Sequence, residues 1–536
     1  MRKVFYSIAA LSSLSCSLWA KGKEAKNILF LLVDDMQKTC IHAYGNNQVV
    51  SPNIDGIIDQ GVSFMHTYTN GSLGGALSMP SRAMIMTGRG VYQVSGDGAV
   101  IPEQHVTLPE LLRNNGYETF ATGKWHADKK SFNRSFVMGD NIFFGGMHSY
   151  ETNGHVSPRL NHYDPEGKYD QPFTGEKFSS EMFADAAVGY LNKRSKKDKP
   201  FFAFVAFTSP HDPRMQHPDY GHDYKADDIE LPVNYLPQHP FDNGELKIRD
   251  EVLLPFPRTE EMVKKDLADY YGMVSEVDYQ IGRILNTLKE KGELDNTIIV
   301  FASDNGLAVG RHGLLGKQNL YEHSVCVPMA MVIPGTEKGI RKDVDCYLYD
   351  IYPTLCDLLK IAPAESVTGK SLVPVLNGSG KHRDQLFLAY SSFQRALVKD
   401  GWKYIIYNVD GTVTEQLFNL QADPDEMVNL AYDAKYEFKK QAYKRVLKEE
   451  MKKNNDFCNL DQHFWIGKPG KMPWSEASKL YVYCSLISFL FFYRMKPYVF
   501  FGQYLCCQIR KRTVFIFLIS VWQSEDNPVY LQVINM

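Results

Sequence analysis

The chain contains four short apolar runs, and each leads directly into a cluster of polar residues. The runs occupy residues 27–33, 116–121, 200–207 and 296–302, and the clusters are Asp34-Asp35, Gly123-Lys124-Trp125-His126, Ser209-Pro210-His211 and Ser303-Asp304-Asn305-Gly306. Apolar runs of this length, bounded by turn residues, are typical of strands buried in a parallel sheet. Ligand sites of open α/β sheets lie beyond the carboxyl ends of the strands. The sequence therefore predicts an α/β fold with a large, mostly parallel central sheet flanked by helices, and one site at its edge.

The acidic members of these clusters predict a metal site. Asp34, Asp35, Asp304 and Asn305 offer only hard oxygen ligands, which suit Ca²⁺ or Mg²⁺, whereas a zinc site would require His or Cys. A single Asp after a strand is more often a helix cap or a turn residue. Two adjacent carboxylates after a fully apolar strand need a counter-charge, and a cation supplies it.

The matching basic residues predict that the same edge binds an anion. They are Lys124, His126, His211 and Lys317. Such groups neutralise anionic oxygens or protonate a leaving group. Taken singly, each is more typical of a solvated surface, so the prediction depends on their joint placement at strand ends.

Residues 78–89 predict a short helix with a defined start. The segment begins with Ser78, has proline in its first turn and ends at Gly88. Two interpretations of Ser78 remain open at this point. It is either an N-cap, or a nucleophile whose Oγ lies at the positive end of the helix dipole, where anions bind.

Taken together, the motifs resemble those of the formylglycine-dependent sulfatases, within the alkaline-phosphatase-like superfamily. The resemblance covers roughly residues 25–475. It rests on motifs in the family's order: Val33-Asp34-Asp35, Ser51-Pro52-Asn53-Ile54-Asp55, Ser78-Met79-Pro80-Ser81-Arg82, Thr87-Gly88-Arg89, Gly123-Lys124-Trp125-His126, Ser209-Pro210-His211, Ser303-Asp304-Asn305-Gly306, Gly316-Lys317, Asp350-Ile351-Tyr352-Pro353-Thr354-Leu355 and Gly369-Lys370-Ser371-Leu372.

The resemblance implies that Ser78 is oxidised to formylglycine, whose hydrated gem-diol attacks the sulfur of a sulfate monoester. It implies a Ca²⁺ ion, with Mg²⁺ as the alternative, bound by Asp34, Asp35, Asp304, Asn305 and the oxidised Ser78. The remaining implied roles are orientation of the formylglycine by Arg82, binding of sulfate oxygens by Lys124 and Lys317, breakdown of the diol by His126, and protonation of the leaving group by His211. His312 is a weaker candidate for the same face.

The resemblance also implies partners. Serine at position 78, where many members have cysteine, resembles bacterial sulfatases matured by a radical enzyme. The expected substrates are sulfated glycans or other sulfate esters. Two alternatives stay open: a phosphonate monoester or phosphodiester hydrolase of the same superfamily, and a catalytically silent protein that binds sulfated glycans. Cys326 stands where relatives commonly have Arg, a change that we expect to weaken local packing or ion pairing.

The two ends of the chain differ from the rest. Residues 1–20 have the basic start, apolar run and small final residue of a signal peptide. We therefore expect export, most simply to the periplasm, with secretion or a lipid anchor at Cys16 as alternatives. Residues 478–536 shift to an aromatic-rich composition without a sustained period, which we interpret as a non-native tail without function. The longest uncharged run there is too short to span a bilayer comfortably.

Between these ends we expect a catalytic domain over residues 21–385 and a smaller C-terminal α+β subdomain over 386–477. In the subdomain, residues 396–407 predict a hairpin through Asp400-Gly401. Asp423-Pro424 predicts a turn into the closing helix, with Asp425-Glu426 in its first turn.

Two long stretches, residues 140–178 and 213–260, lack a strong strand or helix period. Loops of that length are usually functional, so we expect them at the edge of the site, where they shape the leaving-group pocket. The first is rich in residues suited to contacting a sugar, namely His148, Tyr150, His155, His162 and Tyr163. Solvated loops are the alternative interpretation.

Composition excludes two other classes of protein. The 59 Lys and Arg residues against 62 Asp and Glu give a net charge of -3, which lacks the basic footprint of a nucleic-acid-binding protein. The nine cysteines include no Cys-x-x-Cys pair, which argues against a zinc ribbon or a disulfide framework.

Overall fold

The computed structural model describes residues 27–463 except 95, 218 and 220–222, together with residue 465 and two short paired strands, Ser520–Trp522 and Pro528–Tyr530. The predicted signal peptide lies outside the described residues, and so does the predicted tail apart from those strands. The chain divides into two compact units, Met1–Val482 and Tyr483–Met536, and every site residue predicted from the sequence belongs to the first. Among the described residues, no helix is both long enough and apolar enough to cross a bilayer.

The first unit alternates strands and helices along most of its length. Its strands are β1 Asn27–Val33, β2 Val62–Tyr68, β3 Gly71–Ser72, β4 Glu118–Lys124, β5 Met138–Phe143, β6 Arg159–Leu160, β7 Phe173–Thr174, β8 Phe201–Ala206, β9 Thr297–Ser303, β10 Cys326–Val327, β11 Met329–Val332, β12 Ile340–Tyr347, β13 Leu386–Tyr390, β14 Gln394–Lys399, β15 Trp402–Val409 and β16 Thr412–Asn419. Its α-helices are α1 Pro52–Gln60, α2 Ser78–Thr87, α3 Leu108–Asn114, α4 Lys129–Ser135, α5 Ser179–Lys193, α6 Glu260–Glu290, α7 Glu322–Val325, α8 Ile351–Leu359, α9 Val373–Leu376 and α10 Glu437–Lys453.

The larger sheet has the strand order β10-β2-β11-β9-β1-β8-β4-β5, and β12 also pairs with β2. Five adjacent strands of this sheet are parallel to one another: β5, β4, β8, β1 and β9. Strand β12 is parallel to β2, whereas β10 and β11 run antiparallel to the strands with which they pair. This arrangement confirms the predicted α/β fold with a mostly parallel central sheet.

Strand β1 shows why helices cover both faces of this sheet. Successive side chains of a strand point to opposite faces. Leu29 and Leu31 therefore join one core with α1, α5 and α6, whereas Phe30 and Leu32 join another with α2, α3 and α8. Every residue of β1 is buried, as a strand at the centre of three layers requires.

Strand β4 is longer than the sequence predicts, and Lys124 is its last residue rather than part of a following loop. The strand predicted at 116–121 is present, but its bounds were wrong: it begins at Glu118, and pairing with β8 and β5 continues past a register shift between Ala121 and Gly123. Gly123 has a φ of +87°, and a Cβ there would lie 1.9 Å from the Ala206 carbonyl oxygen. Only glycine allows β8 to approach this closely.

The second sheet has the order β16-β15-β14-β13-β3. The predicted hairpin is confirmed as β14 and β15, which pair antiparallel across Asp400 and Gly401. Both turn residues have positive φ, 48° and 73°, as a two-residue primed turn requires. Because β3 from the N-terminal half joins this sheet, a domain boundary at residue 385 stays a prediction.

The closing helix begins later than the sequence predicts. Helix α10 starts at Glu437, and residues 425 and 426 lie in a turn instead. The Asp423 carboxylate accepts hydrogen bonds from the backbone amides of Met427 at 3.0 Å and Val428 at 2.8 Å. Glu426 has a φ of 55°, which a helix cannot contain.

The long helix α6 contains a buried carboxyl group that makes stability depend on pH. Glu276 is fully buried, and Gln280 Nε2 donates to its Oε1 at 2.9 Å. Burial raises the pKa of Glu276 to about 8. The folded state therefore holds a proton that the unfolded state releases near its ordinary pKa.

We expect the free energy of unfolding to fall as pH rises from about 5 to 8, and Glu276→Gln to remove this part of the dependence. The expected difference between the two proteins across that range is on the order of 3 kcal/mol. Thermal unfolding of both proteins at matched pH values measures it. Parallel stability profiles for the variant and the unchanged protein would contradict the assignment.

Candidate active site

The carboxyl ends of β1, β4, β8 and β9 lie at one edge of the central sheet. Register pairs Val33 directly with Ser303, so Asp34 and Asp304 leave the sheet side by side. The Asp304 amide donates to the Val33 carbonyl at 3.1 Å, and the Asp34 amide donates to the Ser209 carbonyl at 3.2 Å. The structure therefore brings the four predicted polar clusters together.

Ser78 is the first residue of α2 and lies at the centre of this edge. It is 2% exposed, Leu77 precedes it in the N-cap position, and no side chain caps the helix. Its Oγ lies 3.1 Å from Asp34 Oδ1 and 3.0 Å from Asn305 Oδ1, and it accepts a 3.3 Å hydrogen bond from Lys317 Nζ. The structure thus places Ser78 in the site and does not show it as an N-cap.

Asp34 is a buried carboxylate between two cations. Lys124 Nζ donates to its Oδ2 at 2.5 Å and also to the Gly146 carbonyl, and Arg82 Nη2 lies 3.6 Å from the same oxygen. Burial alone would raise the pKa of Asp34, but the positive charges of Lys124 and Arg82 hold it well below its ordinary value. Asp34 therefore stays ionised.

Asp35 is the second buried carboxylate. Lys317 Nζ donates to both of its oxygens, at 2.6 and 2.7 Å, and Asn305 Nδ2 donates to Oδ1 at 2.5 Å. Burial lowers the pKa of Lys317, but Asp35 and Asp250 raise it above its ordinary value, so Lys317 stays charged. Asp35 has a φ of 64°, an uncommon conformation that these contacts hold in place.

Asp304 completes the acidic set and is held by Arg82. Arg82 Nε donates to Asp304 Oδ2 at 2.7 Å, and Nη1 donates to the Lys124 carbonyl at 2.7 Å. The Asp35 amide donates to the other carboxylate oxygen at 3.3 Å. Burial and the nearby charge of Asp34 raise the pKa of Asp304 to about 7. The site therefore holds more negative charge than its own cations fully stabilise.

Two histidines flank these groups. His126 follows β4 with a φ of 63°, and its Nδ1 is buried without a partner among the described residues. Burial and the charge of Lys124 hold its pKa well below the ordinary value, so the ring is neutral. His211 Nε2 lies 3.7 Å from Asp35 Oδ2, and its Nδ1 lies 2.9 Å from the Asp212 carbonyl oxygen.

The donor set fits a hard cation. Asp34, Asp35 and His211 offer ligand atoms that all lie within 4.8 Å of one another. Asn305 directs its amide nitrogen to Asp35 and its Oδ1 to Ser78. Ser78 has one hydroxyl hydrogen for two acceptor oxygens, so only one of them can receive it. An oxygen-rich set of this kind suits Ca²⁺ or Mg²⁺, for which imidazole is a poor ligand.

Two histidines of the first insertion, His148 and His155, pack against the loop after β8. His148 Nε2 lies 3.1 Å from Thr208 Oγ1, and His155 Nε2 lies 3.0 Å from the His211 carbonyl oxygen. Both rings are buried and support the loop after β8. The first insertion also contains the small pair of strands β6 and β7, which the sequence did not predict.

His312 does not join the site residues. Its ring stacks on Tyr321 with centroids 4.2 Å apart, and its Nε2 lies 3.2 Å from Asn234 Nδ2. The weaker prediction for this residue was wrong because the turn before Lys317 directs its side chain into that aromatic contact.

The prediction missed the residues that hold His211. Asp212 follows it directly, and Arg249 binds Asp212 from the second insertion. The sequence Ser-Pro-His-Asp-Pro contains a signal for Asp212, since the acid is adjacent to the histidine. Arg249 lies 37 residues beyond Asp212 in a segment without a period, so nothing in the sequence connects it with His211.

Two family models together match most of the first unit. The model of the family described as Sulfatase matches residues 26–361, and that described as N-sulphoglucosamine sulphohydrolase, C-terminal, matches residues 310–455. An N-acetylglucosamine-6-O-sulfatase of Bacteroides thetaiotaomicron is 27% identical over 84% of this chain and 90% of its own. A sulfatase of Formosa agariphila is 28% identical over 83% of this chain and 92% of its own.

Solved structures share the fold. A protein solved in complex with its substrate D-glucosamine-2-N,6-O-disulfate aligns with a TM-score of 0.65 and 24% identity, over 82% of this chain and 99% of its own. A phosphonate monoester hydrolase of Agrobacterium radiobacter aligns with a TM-score of 0.62 and 21% identity, over 83% of this chain and 99% of its own. At these identities the alignments show the alkaline-phosphatase-like fold alone.

The family model covers more than half of the chain, and the residues of its shared motifs converge on one buried site. The curated relatives match over nearly their full length and are named as sulfatases. This chain belongs to the sulfatase family and is a sulfuric ester hydrolase.

Proposed function

We propose that the protein hydrolyses sulfate monoesters of carbohydrates, using Ser78 oxidised to formylglycine together with a hard divalent cation. The observation that carries the proposal is the position of Ser78 Oγ, within 3.3 Å of Asp34, Asn305 and Lys317 at the start of a buried helix. Support for a carbohydrate substrate comes from relatives named N-acetylglucosamine-6-O-sulfatase and ulvan-active sulfatase.

The cation would be Ca²⁺, with Mg²⁺ as the alternative. Asp34, Asp35 and Asn305 would hold it beside residue 78, and Asp304, whose Oδ1 already bonds to the Asp35 amide, would complete the set. When bound, such an ion lowers the pKa of a nearby hydroxyl and neutralises charge on sulfate oxygens.

The other residues of the site then have separate tasks. An ammonium group carries three hydrogens, and Lys124 uses two of them on Asp34 and Gly146, which leaves one for a sulfate oxygen. Lys317, which donates to Asp35, would bind a sulfate oxygen from that side of the site. It also contacts residue 78 itself. The neutral His126 can accept a proton from the hydrated aldehyde at its unpaired Nδ1.

His211 would act on the leaving group. Its Nδ1 faces Asp212, so its Nε2 is the nitrogen on the side of the carboxylates. For this step both ring nitrogens carry a hydrogen: Nδ1–H faces Asp212, and when the sulfur–oxygen bond breaks the departing alkoxide takes the hydrogen of Nε2, which leaves the ring neutral. The oxidised residue 78 supplies the attacking hydroxyl, and the two hydrogens lost from Ser78 go to the enzyme that matures it.

Maturation and export form part of the same proposal. Because Ser78 is 2% exposed and α2 is buried along most of its length, a radical-type maturation enzyme has to reach this residue before α2 packs. The signal-like residues 1–20 support export of the matured chain, with the periplasm as the proposed location.

Ser78→Ala should abolish turnover while the fold is retained, because the buried charges around Ser78 keep their ion pairs with one another. We expect at least a roughly 10³-fold loss of kcat with 4-nitrophenyl sulfate and N-acetylglucosamine 6-sulfate, since the nucleophile is removed. Mass spectrometry of the Ser78 peptide from the native host should show the loss of two hydrogens.

Ser63→Ala is the matched control, since Ser63 is also fully buried and lies in β2. It should keep full activity. Unmodified serine in active protein would contradict the formylglycine mechanism. Faster turnover of a phosphodiester or a phosphonate monoester than of any sulfate ester would favour the related hydrolases over the proposed substrate class.

Ca²⁺ should stabilise the protein through the site carboxylates. At a concentration 100 times its dissociation constant, a ligand adds about 2.7 kcal/mol to the free energy of unfolding, so we expect Tm to rise by a few degrees after treatment with EGTA and readdition of Ca²⁺. Asp35→Asn should remove most of this rise, because it removes one charged ligand.

Asp185→Asn provides the control for the metal experiment. Asp185 is a partly exposed carboxylate of α5 that pairs with Lys177 and with Arg283 of α6. This variant should keep the full Ca²⁺-dependent rise in Tm. An equal rise in the Asp35 variant would show that the ion binds elsewhere.

A further inference from the structure

The two ring nitrogens of His211 have different surroundings. Nδ1 lies 2.9 Å from the Asp212 carbonyl oxygen and 3.2 Å from Asp212 Oδ1. Two acceptors at one nitrogen fix a hydrogen there. Nε2 therefore faces the carboxylates of the site, 3.7 Å from Asp35 Oδ2.

Asp212 is itself held by an arginine from the second insertion. Arg249 Nη1 donates to Asp212 Oδ2 at 2.5 Å and Nη2 donates to Oδ1 at 3.0 Å. This two-pronged contact restricts the carboxylate more than a single hydrogen bond does. Tyr150, from the first insertion, adds a 3.4 Å hydrogen bond to Oδ2.

The same arginine connects to the other side of the site. Arg249 Nη2 donates to Asp250 Oδ1 at 2.6 Å, and Gln318 Nε2 donates to Asp250 Oδ2 at 2.7 Å. Gln318 Oε1 accepts from the Lys317 amide at 2.9 Å. A chain of hydrogen bonds therefore runs from the His211 ring to the backbone of Lys317.

We propose that Arg249 is a positioning residue for leaving-group departure, which acts through Asp212 to hold the His211 ring with Nε2 towards the ester oxygen. The proposal rests on the proposed role of His211 as the group that protonates the leaving alcohol. The ion pairs of Arg249 are with Asp212 and Asp250 rather than with Asp34 or Asp35, so it acts on the site through other residues. The proposed route is through Asp212 to His211, and the route through Asp250 and Gln318 ends at the backbone of Lys317.

The position of Arg249 makes the proposal testable without breaking the fold. Its side chain is 38% exposed, whereas that of Asp212 is 4% exposed. Replacing Asp212 would leave the arginine without its main partner, so the informative substitutions are Arg249→Gln and Arg249→Lys. Glutamine removes both the positive charge and the two-pronged guanidinium group, whereas lysine keeps only the charge.

Aryl sulfates with graded leaving groups distinguish positioning from substrate binding. The 4-nitrophenolate of 4-nitrophenyl sulfate leaves without a proton, whereas the phenolate of phenyl sulfate is more basic and gains from protonation. In Arg249→Gln we expect kcat for phenyl sulfate to fall about tenfold to hundredfold, since general acids contribute about 10²–10⁴-fold. By the same reasoning kcat for 4-nitrophenyl sulfate should fall less than about threefold, and KM for both should change less than about threefold. Arg249→Lys should recover part of the loss.

Two further variants distinguish a failure of the proposed His211 role from a failure of the positioning role of Arg249. Arg283→Gln removes an arginine of similar exposure whose ion pair is with Asp185 on α5 rather than with Asp212, and should leave both rates unchanged. His211→Asn should show the same selective loss as Arg249→Gln, only larger. If it slows both esters equally, the proposed role of His211 fails.

If His211→Asn is selective and Arg249→Gln is not, the positioning role alone is overturned. A higher KM for both esters with unchanged kcat in Arg249→Gln would also overturn it, because that result assigns Arg249 to substrate binding.

Discussion

The structure depends on the burial of three carboxylates and three cations at one edge of the central sheet. Asp34, Asp35 and Asp304 are 1% exposed or less, and Arg82, Lys124 and Lys317 are at most 4% exposed. Burial of a single unpaired charge would cost far more than a domain's net stability, so each needs its partner. The partners come from different elements of the fold, which means that the network forms only when β9, β1, β8 and β4 stand in the observed order. The site and the central sheet are therefore parts of one folding unit, and removal of one partner is expected to cost about 3–5 kcal/mol.

This interdependence explains what could be predicted from the sequence. Apolar runs such as residues 27–33 are recognisable by themselves, and the polar residues after them are adjacent in the chain, so fold class and most of the site could be predicted locally. The end of β4 could not, because its last residues are held by pairing with β8 rather than by their own composition. Helix α10 was placed too early for a similar reason: the contacts of the Asp423 side chain stop the helix that its neighbours would otherwise favour. Arg249 escaped prediction because its proposed role depends only on a tertiary contact.

Cys326 occupies a position where the resemblance to the family led us to expect Arg. Burial raises the pKa of its thiol to about 12, so the residue is neutral. Glu322, four residues earlier, is nevertheless paired: Lys403 Nζ lies 2.7 Å from it and also binds Glu426 at 2.9 Å. Lys38 Nζ lies nearby, 2.9 Å from the Met65 carbonyl and 3.6 Å from the sulfur. The expected weakening of ion pairing is thus offset by lysines from β15 and from the loop after β1.

Charge within the site accounts for how a slightly acidic protein binds an anionic ester. The whole chain carries a formal charge of -3, so bulk electrostatics does not attract sulfate. Asp34, Asp35 and Asp304 face Arg82, Lys124 and Lys317 in equal number, so with Asp304 ionised the bare site has no net charge to attract an anion. Under the proposed function, a divalent cation would change the local sum to +2, and the singly charged sulfate ester and one ionised hydroxyl on the oxidised residue 78 would together return it to zero. The transition state would then be the neutral arrangement, whereas the site without its cation would have to bury two uncompensated negative charges.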